Sequence, residues 1–203
     1  MSTTSNNILD AAIREFARVG YAGASTVMIA GEANVKQPLL YYHYGSKQKL
    51  WQSAVDFAYV ELSVAFDSIG ETAVDMSPID TLKLMLRLLN RFAIRNPRHI
   101  DILRQEMGSN SEQAEYLLKK HLAPIYRQIN EMATAAAEAG EIKPMPPQFL
   151  SSLLFGATTH FFTAGPVMDE VYALDTTDLE QGKQHGDWLV DVIFSGLAIT
   201  KDD

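Results

Sequence analysis

The sequence has no cysteine among its 203 residues, which excludes disulfide bonds and thiolate metal sites. No apolar run reaches the ~18 residues expected of a membrane span, and residues 1–7 are polar, unlike a signal peptide. We therefore expect a cytoplasmic protein that has no membrane partner. Strand-like alternation, internal repeats and low-complexity tracts are also lacking, and apolar residues recur at helical spacing instead. The fold class is therefore predicted to be all-α.

The sequence also lacks the recognisable motifs of an enzyme. It has no glycine-rich phosphate loop and no Gly-x-Ser-x-Gly turn around a nucleophile. Ser46-x-x-Lys49 formally matches a motif of penicillin-binding enzymes, but its place at the start of a helix favours a capping serine. No two of the five histidines have the spacing of metal ligands; they are His43, His99, His121, His160 and His185. We therefore predict no catalytic residue, no metal site and no cofactor.

Positive charge is scarce overall but is concentrated near the N-terminus. The chain carries a net charge of −8, with residues 1–50 at +2 and the remainder at −10. Opposite signs in two parts of one chain indicate two tasks. The acidic total does not exclude DNA binding, because a protein needs positive charge only where it meets phosphates.

Three helical segments are predicted within residues 1–47. Apolar residues between Ile8 and Val19 share one face of the first segment, which ends at Gly20. Ser25 is the expected N-cap of a short second helix, and Asn34 ends it in a tight turn, because asparagine tolerates a positive φ. The third segment covers roughly Gln37–His43. Two short helices joined by a tight turn form a helix-turn-helix, whose second helix enters the major groove of DNA.

The third segment is the recognition helix of this predicted motif, and its outward face is polar or aromatic. Lysine, tyrosine and histidine side chains suit phosphate contact, and the Gln37 amide matches the donor and acceptor on the adenine edge. Pro38 and Leu39 offer apolar surface to thymine methyl groups. The alternative is that the aromatic side chains only pack the three-helix core. The predicted DNA-binding residues are Ser25, Thr26, Lys36, Gln37, Pro38, Leu39, Tyr41, Tyr42, His43 and Lys47.

The same stretch carries a spaced pattern over about fifty residues: Ile8, Ala11-Ala12, Phe16, Gly20, Ile29-Ala30, the run from Ala33 to Lys47, and Leu50. This pattern resembles the N-terminal signature of the TetR family of bacterial transcriptional regulators. It departs from the family at Asn34, where glycine is usual, and at Lys36, where a serine or threonine cap is usual. The resemblance implies a helix-turn-helix domain at residues 1–47 and a helical-bundle domain for effector binding and dimerisation at residues 48–203.

The later helices are predicted from the same periodicity. The segment from Pro78 to Asn96 is apolar nearly all round, which is typical of a helix at the centre of a bundle. Ser109-x-x-Glu112 and Thr177-x-x-Glu180 match capping boxes at the starts of two further helices. Pro124 is expected to kink or split the first of them.

An effector pocket is predicted among these helices. Thr158, Thr159 and His160 interrupt an otherwise apolar helix, and buried hydroxyl and imidazole groups need partners. The lack of a strong cationic cluster points to a mainly apolar small molecule that is neutral or weakly charged. The alternative is that these side chains simply fill the core. The predicted ligand contacts are Phe92, Met107, Tyr126, Thr159 and His160, of which Phe92 and Met107 follow from the family resemblance.

The last two predicted helices are expected to form a homodimer, because each carries an apolar stripe. The predicted interface residues are Leu150, Leu154, Ala157, Phe161, Trp188, Val192 and Ile199. The whole pattern predicts a repressor that binds a pseudopalindromic operator in double-stranded DNA and is released by a small-molecule effector. The alternative is a helical interaction protein of the same fold without sequence-specific DNA binding, and the polar recognition helix favours the regulator.

Overall fold

A computed structural model describes residues 3–199 of the chain. Over this range the chain forms twelve α-helices, and one isolated β-bridge joins Ile142 and Ala198. The predicted all-α class is confirmed. No helix in the described range is long and apolar enough to cross a membrane. The helices are α1 (Thr3–Gly23), α2 (Thr26–Glu32), α3 (Gln37–Tyr44), α4 (Lys47–Asp67), α5 (Ile69–Thr72), α6 (Pro78–Arg95), α7 (Pro97–Glu106), α8 (Glu112–Leu117), α9 (Ala123–Glu138), α10 (Pro147–Thr163), α11 (Gly165–Tyr172) and α12 (Leu179–Leu197), with a π-helical turn at Leu118–Leu122.

The chain divides into two compact units. The first unit contains the described residues up to Val60 together with Arg98–His121. The second unit contains Glu61–Pro97 and the described residues from Leu122 onward. The first unit therefore takes in α7 and α8, which come later in the sequence than most of its helices. The functional boundary predicted after residue 47 stays a prediction.

The core of the first unit is built on one face of α1 and on the N-terminal half of α4. Ile8 and Phe16 of α1 and Leu50 and Trp51 of α4 are all at most 1% exposed. The backbone of α1 leaves helical geometry at Gly20, with φ 72°, where the periodicity predicted its end. One further turn then continues to Gly23, so the helix is kinked at Gly20 and ends three residues later.

The second unit is organised around α6, as the nearly uniform apolarity of this helix predicted. It packs against α9, α10 and α12. The approach of α12 depends on two glycines one helical turn apart, because a Cβ at Gly182 would lie 2.7 Å from Ile94 Cγ1. A Cβ at Gly186 would lie 1.9 Å from Asn90 Nδ2. The same Asn90 amide donates to the Gly182 carbonyl at 3.0 Å.

Two local predictions are wrong in detail. The cap of α8 is Ser111 and not Ser109, since the Ser111 hydroxyl accepts from Ala114 N at 3.0 Å. The cap of α12 is Asp178 and not Thr177, since the Asp178 carboxylate accepts from Gln181 N at 2.9 Å. The split expected at Pro124 is confirmed, because a π-helical turn that ends at Leu122 separates α8 from α9 and leaves the proline in the first turn of α9.

Gly186→Ala is expected to destabilise the protein by about 1–3 kcal/mol, because the new methyl group overlaps Asn90 in a close-packed contact. Urea unfolding monitored by circular dichroism measures the change. Gly70→Ala is the matched control, since a Cβ there meets no atom within 4 Å. Equal stability of Gly186→Ala and Gly70→Ala would contradict the close approach of α6 and α12.

Candidate nucleic-acid interface

The connection between α2 and α3 is a tight turn at Asn34. Asn34 adopts φ 55°, the left-handed conformation that the sequence predicted for this asparagine. Val35 N donates to the Ala30 carbonyl at 2.9 Å and closes the turn. At the other end of α2, Ser25 is the N-cap, and its hydroxyl accepts from Met28 N at 3.4 Å. Both local predictions are confirmed, and they fix the direction in which α3 leaves α2.

A single buried side chain anchors α3, which the structure describes in full. Leu40 is 0% exposed and is the only buried residue of this helix. The opposite face is open, and Tyr42 keeps 82% of its surface. Other exposed side chains on this face or just before it are Lys36, Pro38, Leu39, Tyr41 and His43. Tyr41, Tyr42 and His43 are therefore not buried in the three-helix core.

Polar contacts tie the recognition helix to its neighbours. Gln37 Nε2 donates to Thr26 Oγ1 at 2.9 Å, and the Thr26 hydroxyl lies 3.2 Å from the Tyr41 hydroxyl. At the other end of α3, the Tyr44 hydroxyl lies 2.9 Å from the Ser5 hydroxyl of α1. These contacts fix the position of α3 through both of its ends as well as through its buried face.

The local positive charge comes from a few lysines. Arg14 and Arg18 are each paired with a glutamate, Glu32 and Glu15 respectively, so they contribute little free charge. Lys36, Lys47 and Lys49 carry no ion pair among the described residues. Lys47 Nζ donates to the Ala22 carbonyl at 3.3 Å and lies 4.8 Å from the ring centre of Tyr21, which holds its charge beside α3.

The sequence reasoning missed two exposed apolar residues on α2. Val27 and Met28 are each 60% exposed and directly follow Ser25 and Thr26. Apolar side chains that reach the major groove of DNA can contact thymine methyl groups. The signal was present in the helical period, because Ile29 and Ala30 occupy the buried face and leave Val27 and Met28 on the other.

Two family models match most of the chain. Residues 8–54 match the family model of bacterial regulatory proteins of the tetR family, and residues 75–203 match that of the tetracyclin repressor-like C-terminal domain. This chain belongs to the TetR family. It is accordingly a DNA-binding transcriptional regulator.

Relatives and solved structures agree with this membership. The chain is 25% identical to the transcriptional repressor NicS of Pseudomonas putida, over 97% of this chain and 91% of that protein. It is 22% identical to the transcriptional regulator RutR of Escherichia coli, over 84% and 79% of the two chains. The ketosteroid transcriptional regulator KstR2 of Mycobacterium tuberculosis shares the fold, with a TM-score of 0.74 at 14% identity, over 98% of this chain and 97% of that one.

The predicted effector contacts of this TetR-family chain are divided between the two units. Phe92, Tyr126, Thr159 and His160 are in the second unit, whereas Met107 is in the first and is 53% exposed. The Thr159 hydroxyl already donates to the Phe155 carbonyl at 2.8 Å, and His160 is exposed. Thr158 is the buried hydroxyl of this stretch, at 2% exposure. The predicted polar contacts, Thr159 and His160, therefore begin one residue after the buried hydroxyl of Thr158.

The predicted interface residues divide between the two faces of α10 and α12. Leu150, Leu154 and Phe161 are at most 8% exposed within a single chain, so they have little surface left for a second copy. Trp188 and Val192 remain 60% and 50% exposed. Ala157 is intermediate and Ile199 is exposed. The stripe assigned on α10 is therefore turned toward the interior of the unit.

Lys36→Ala is expected to weaken binding to all DNA sequences about equally, because the lysine lies free beside the recognition helix. The slope of log affinity against log salt should flatten by about 0.9 for each phosphate that the variant no longer neutralises. Fluorescence anisotropy on operator and on random duplex at several salt concentrations measures this. Lys183→Ala, on the exposed face of α12, serves as control and should leave the slope unchanged. A weakening confined to one DNA sequence would assign Lys36 to base recognition instead.

Proposed function

We propose that this regulator is a repressor that binds a pseudopalindromic operator as a homodimer and is released by a small, uncharged, mainly apolar effector. The observation that carries the DNA-binding part is the open polar face of α3, with Leu40 as its only buried residue. Eight residues that bury one anchor, expose tyrosine and histidine and leave Gln37 half-buried beside them form a recognition surface.

The proposed contacts follow from the chemistry of this face. Five side chains offer hydroxyl, amine or imidazole donors to phosphate oxygens, and such contacts position the helix on DNA. They are Ser25, Lys36, Tyr42, His43 and Lys47. Thr26 and Tyr41 add hydroxyl groups next to Gln37, which reads an adenine edge in the major groove. Pro38 and Leu39 face thymine methyl groups, and Val27 and Met28 extend this apolar surface. The full proposed contact set is Ser25, Val27, Met28, Lys36, Gln37, Pro38, Leu39, Tyr41, Tyr42, His43 and Lys47, and the buried Thr26 supports Gln37 from inside the protein.

The proposed dimer interface lies on the exposed faces of α10 and α12. Phe149 and Leu153 on α10 are 66% and 48% exposed, and Trp188 and Val192 on α12 are similarly open. Gly156 and Gly196 lie on the same faces, and a Cβ at either meets no atom within 4 Å. Large exposed apolar side chains beside open glycines suit a second copy of the same helices. This set replaces Leu150, Leu154 and Phe161 in the proposal.

Selection of bound duplexes from a random DNA pool tests the proposal directly. We expect two inverted half-sites whose centres are separated by whole turns of the double helix. Trp188→Glu should give monomers in sedimentation and should lose operator affinity, because both half-sites must be engaged together for avidity.

Val74→Glu is the matched control for that variant, since Val74 is 74% exposed outside α10 and α12. It should remain dimeric and bind the operator normally. A dimeric Trp188→Glu would place the interface elsewhere, and a pool without any enriched sequence would refute operator recognition itself.

The proposal of an effector rests on unsatisfied polar atoms inside the second unit. Thr158 Oγ1, Asn130 Oδ1 and His185 Nδ1 are buried without a hydrogen-bond partner among the described residues. Each such atom costs about 1–3 kcal/mol, a cost that a bound molecule with hydroxyl or carbonyl groups removes.

Aromatic rings stack in pairs on the same helices as these atoms, α9, α10 and α12. The Phe161 ring stacks on His185 at 4.1 Å, and the Tyr126 ring stacks on Phe155 at 4.0 Å. Burial lowers the pKa of His185, which keeps its imidazole neutral at pH 7. We therefore propose a neutral ligand and assign its polar contacts to Thr158 and His185 in place of Thr159 and His160.

Two valine variants on neighbouring positions separate these assignments. Thr158→Val removes an unpaired hydroxyl and should stabilise the ligand-free protein by about 1 kcal/mol, whereas Thr159→Val breaks a hydrogen bond to Phe155 and should not. With an effector found by screening neutral aromatic alcohols and ketones for operator release, Thr158→Val should raise the required concentration about tenfold. A larger effect of Thr159→Val on that concentration would favour Thr159 as the ligand contact.

A further inference from the structure

Three side chains from two helices form a continuous polar chain beside the recognition surface. Thr26 is the first residue of α2, and Gln37 is the first residue of α3. Gln37 Nε2 donates to Thr26 Oγ1 at 2.9 Å, and the Thr26 hydroxyl lies 3.2 Å from the Tyr41 hydroxyl. Thr26 is only 8% exposed, whereas Tyr41 keeps 40% of its surface. Thr26 therefore contacts the proposed base-reading residue from the inner side.

This contact determines what the Gln37 amide presents to DNA. A glutamine amide has one acceptor oxygen and two N–H donors. Because one N–H is engaged by Thr26, the oxygen and the second N–H are left for a base. One acceptor beside one donor complements adenine, whose major-groove edge offers the N6 donor and the N7 acceptor.

The opposite orientation of the amide would read a different base. If the Gln37 amide turned by 180°, its oxygen would accept from the Thr26 hydroxyl and both N–H groups would remain for DNA. Two donors complement guanine, which offers the N7 and O6 acceptors. The structure has the first orientation, in which Gln37 Nε2 donates to Thr26 Oγ1, and the Thr26 hydrogen can then be donated to the Tyr41 hydroxyl 3.2 Å away.

We propose that Thr26 is a positioning residue that fixes the orientation of the Gln37 amide and so sets a preference for adenine over guanine. This inference rests on the proposed DNA recognition by Gln37. It assigns Thr26 a task distinct from phosphate contact, since its oxygen is occupied inside the protein. It makes sequence preference depend on a residue of α2 as well as on α3.

The test compares Thr26→Val with Thr26→Ser on the operator recovered by pool selection. The base pair to examine is the one whose preference disappears in Gln37→Ala, with adenine or guanine placed there. We expect the wild-type protein to prefer adenine about tenfold or more, within the range of a bidentate contact. Thr26→Val should reduce that preference to less than about threefold, while Thr26→Ser, which keeps the hydroxyl, should retain it.

Two further measurements separate positioning from other roles. Affinity for random duplex should be the same in Thr26→Val and in the wild-type protein, and circular dichroism should show that the variant is folded at the assay temperature. A Thr26→Val variant that keeps the full adenine preference overturns the inference, and so does a variant that binds every sequence equally more weakly. If Gln37→Ala itself changes no base preference, then base reading by Gln37 fails, and that result is distinct from either outcome at Thr26.

Discussion

A helix of eight residues cannot remain folded by itself, and DNA recognition by this protein depends on how such a helix is held. Isolated helices shorter than about 12 residues are marginal in water, and α3 has eight residues. Three features compensate for the short length of α3. They are the burial of Leu40, the turn at Asn34 and the cap at Gly45, whose N–H donates to the Tyr41 carbonyl at 2.7 Å. All outward chemistry of α3 depends on these few contacts, because no second buried residue would hold its register.

The helices that support α3 are themselves held by a later part of the chain. Arg98–His121 groups with the first unit, and Gln105 from this segment lies against the kink of α1, where its amide donates to the Ala17 carbonyl at 2.5 Å. A Cβ at Gly20 would meet Gln105 Oε1 at 2.4 Å.

The same later segment also contacts Asp56 on α4. Burial raises the pKa of Asp56, but hydrogen bonds from its partners outweigh this effect and lower the pKa, so the carboxylate stays charged. Those partners lie at 2.8–3.0 Å and are Lys120, His121 and Tyr116.

Features that depend on neighbours close in the sequence could be predicted from the sequence, whereas features that depend on distant residues could not. The Asn34 turn and the Ser25 cap were predicted correctly because each depends on neighbours a few residues away. The outer face of α10 was misassigned because this helix is apolar almost all round, so its pattern does not separate Leu150 from Phe149. Neighbouring residues of an α-helix are rotated by about 100° from one another. This rotation buries the Thr158 side chain and places Thr159 on an adjacent face, a difference that the sequence pattern does not resolve. The polar contact of Gln105 with α1 joins residues 88 apart, and no local pattern encodes it.

The distribution of charge explains why pairing of two chains matters for such a weakly basic DNA-binding unit. The lysines near α3 without an ion pair among the described residues are Lys36, Lys47 and Lys49, and even if Lys49 joined the two lysines proposed to contact phosphates, three such contacts would give a salt slope of about −2.7 for one chain. With this slope, affinity changes by roughly 40-fold between 50 and 200 mM salt. So small a salt dependence means that electrostatic contacts of one chain are too few to give a tight complex by themselves. Two chains double the slope and bring the change to roughly 10³-fold. The acidic remainder of the chain, at −10, disfavours DNA contact elsewhere, so in the proposed dimer productive contact is restricted to the two copies of the proposed contact set on and around α2 and α3.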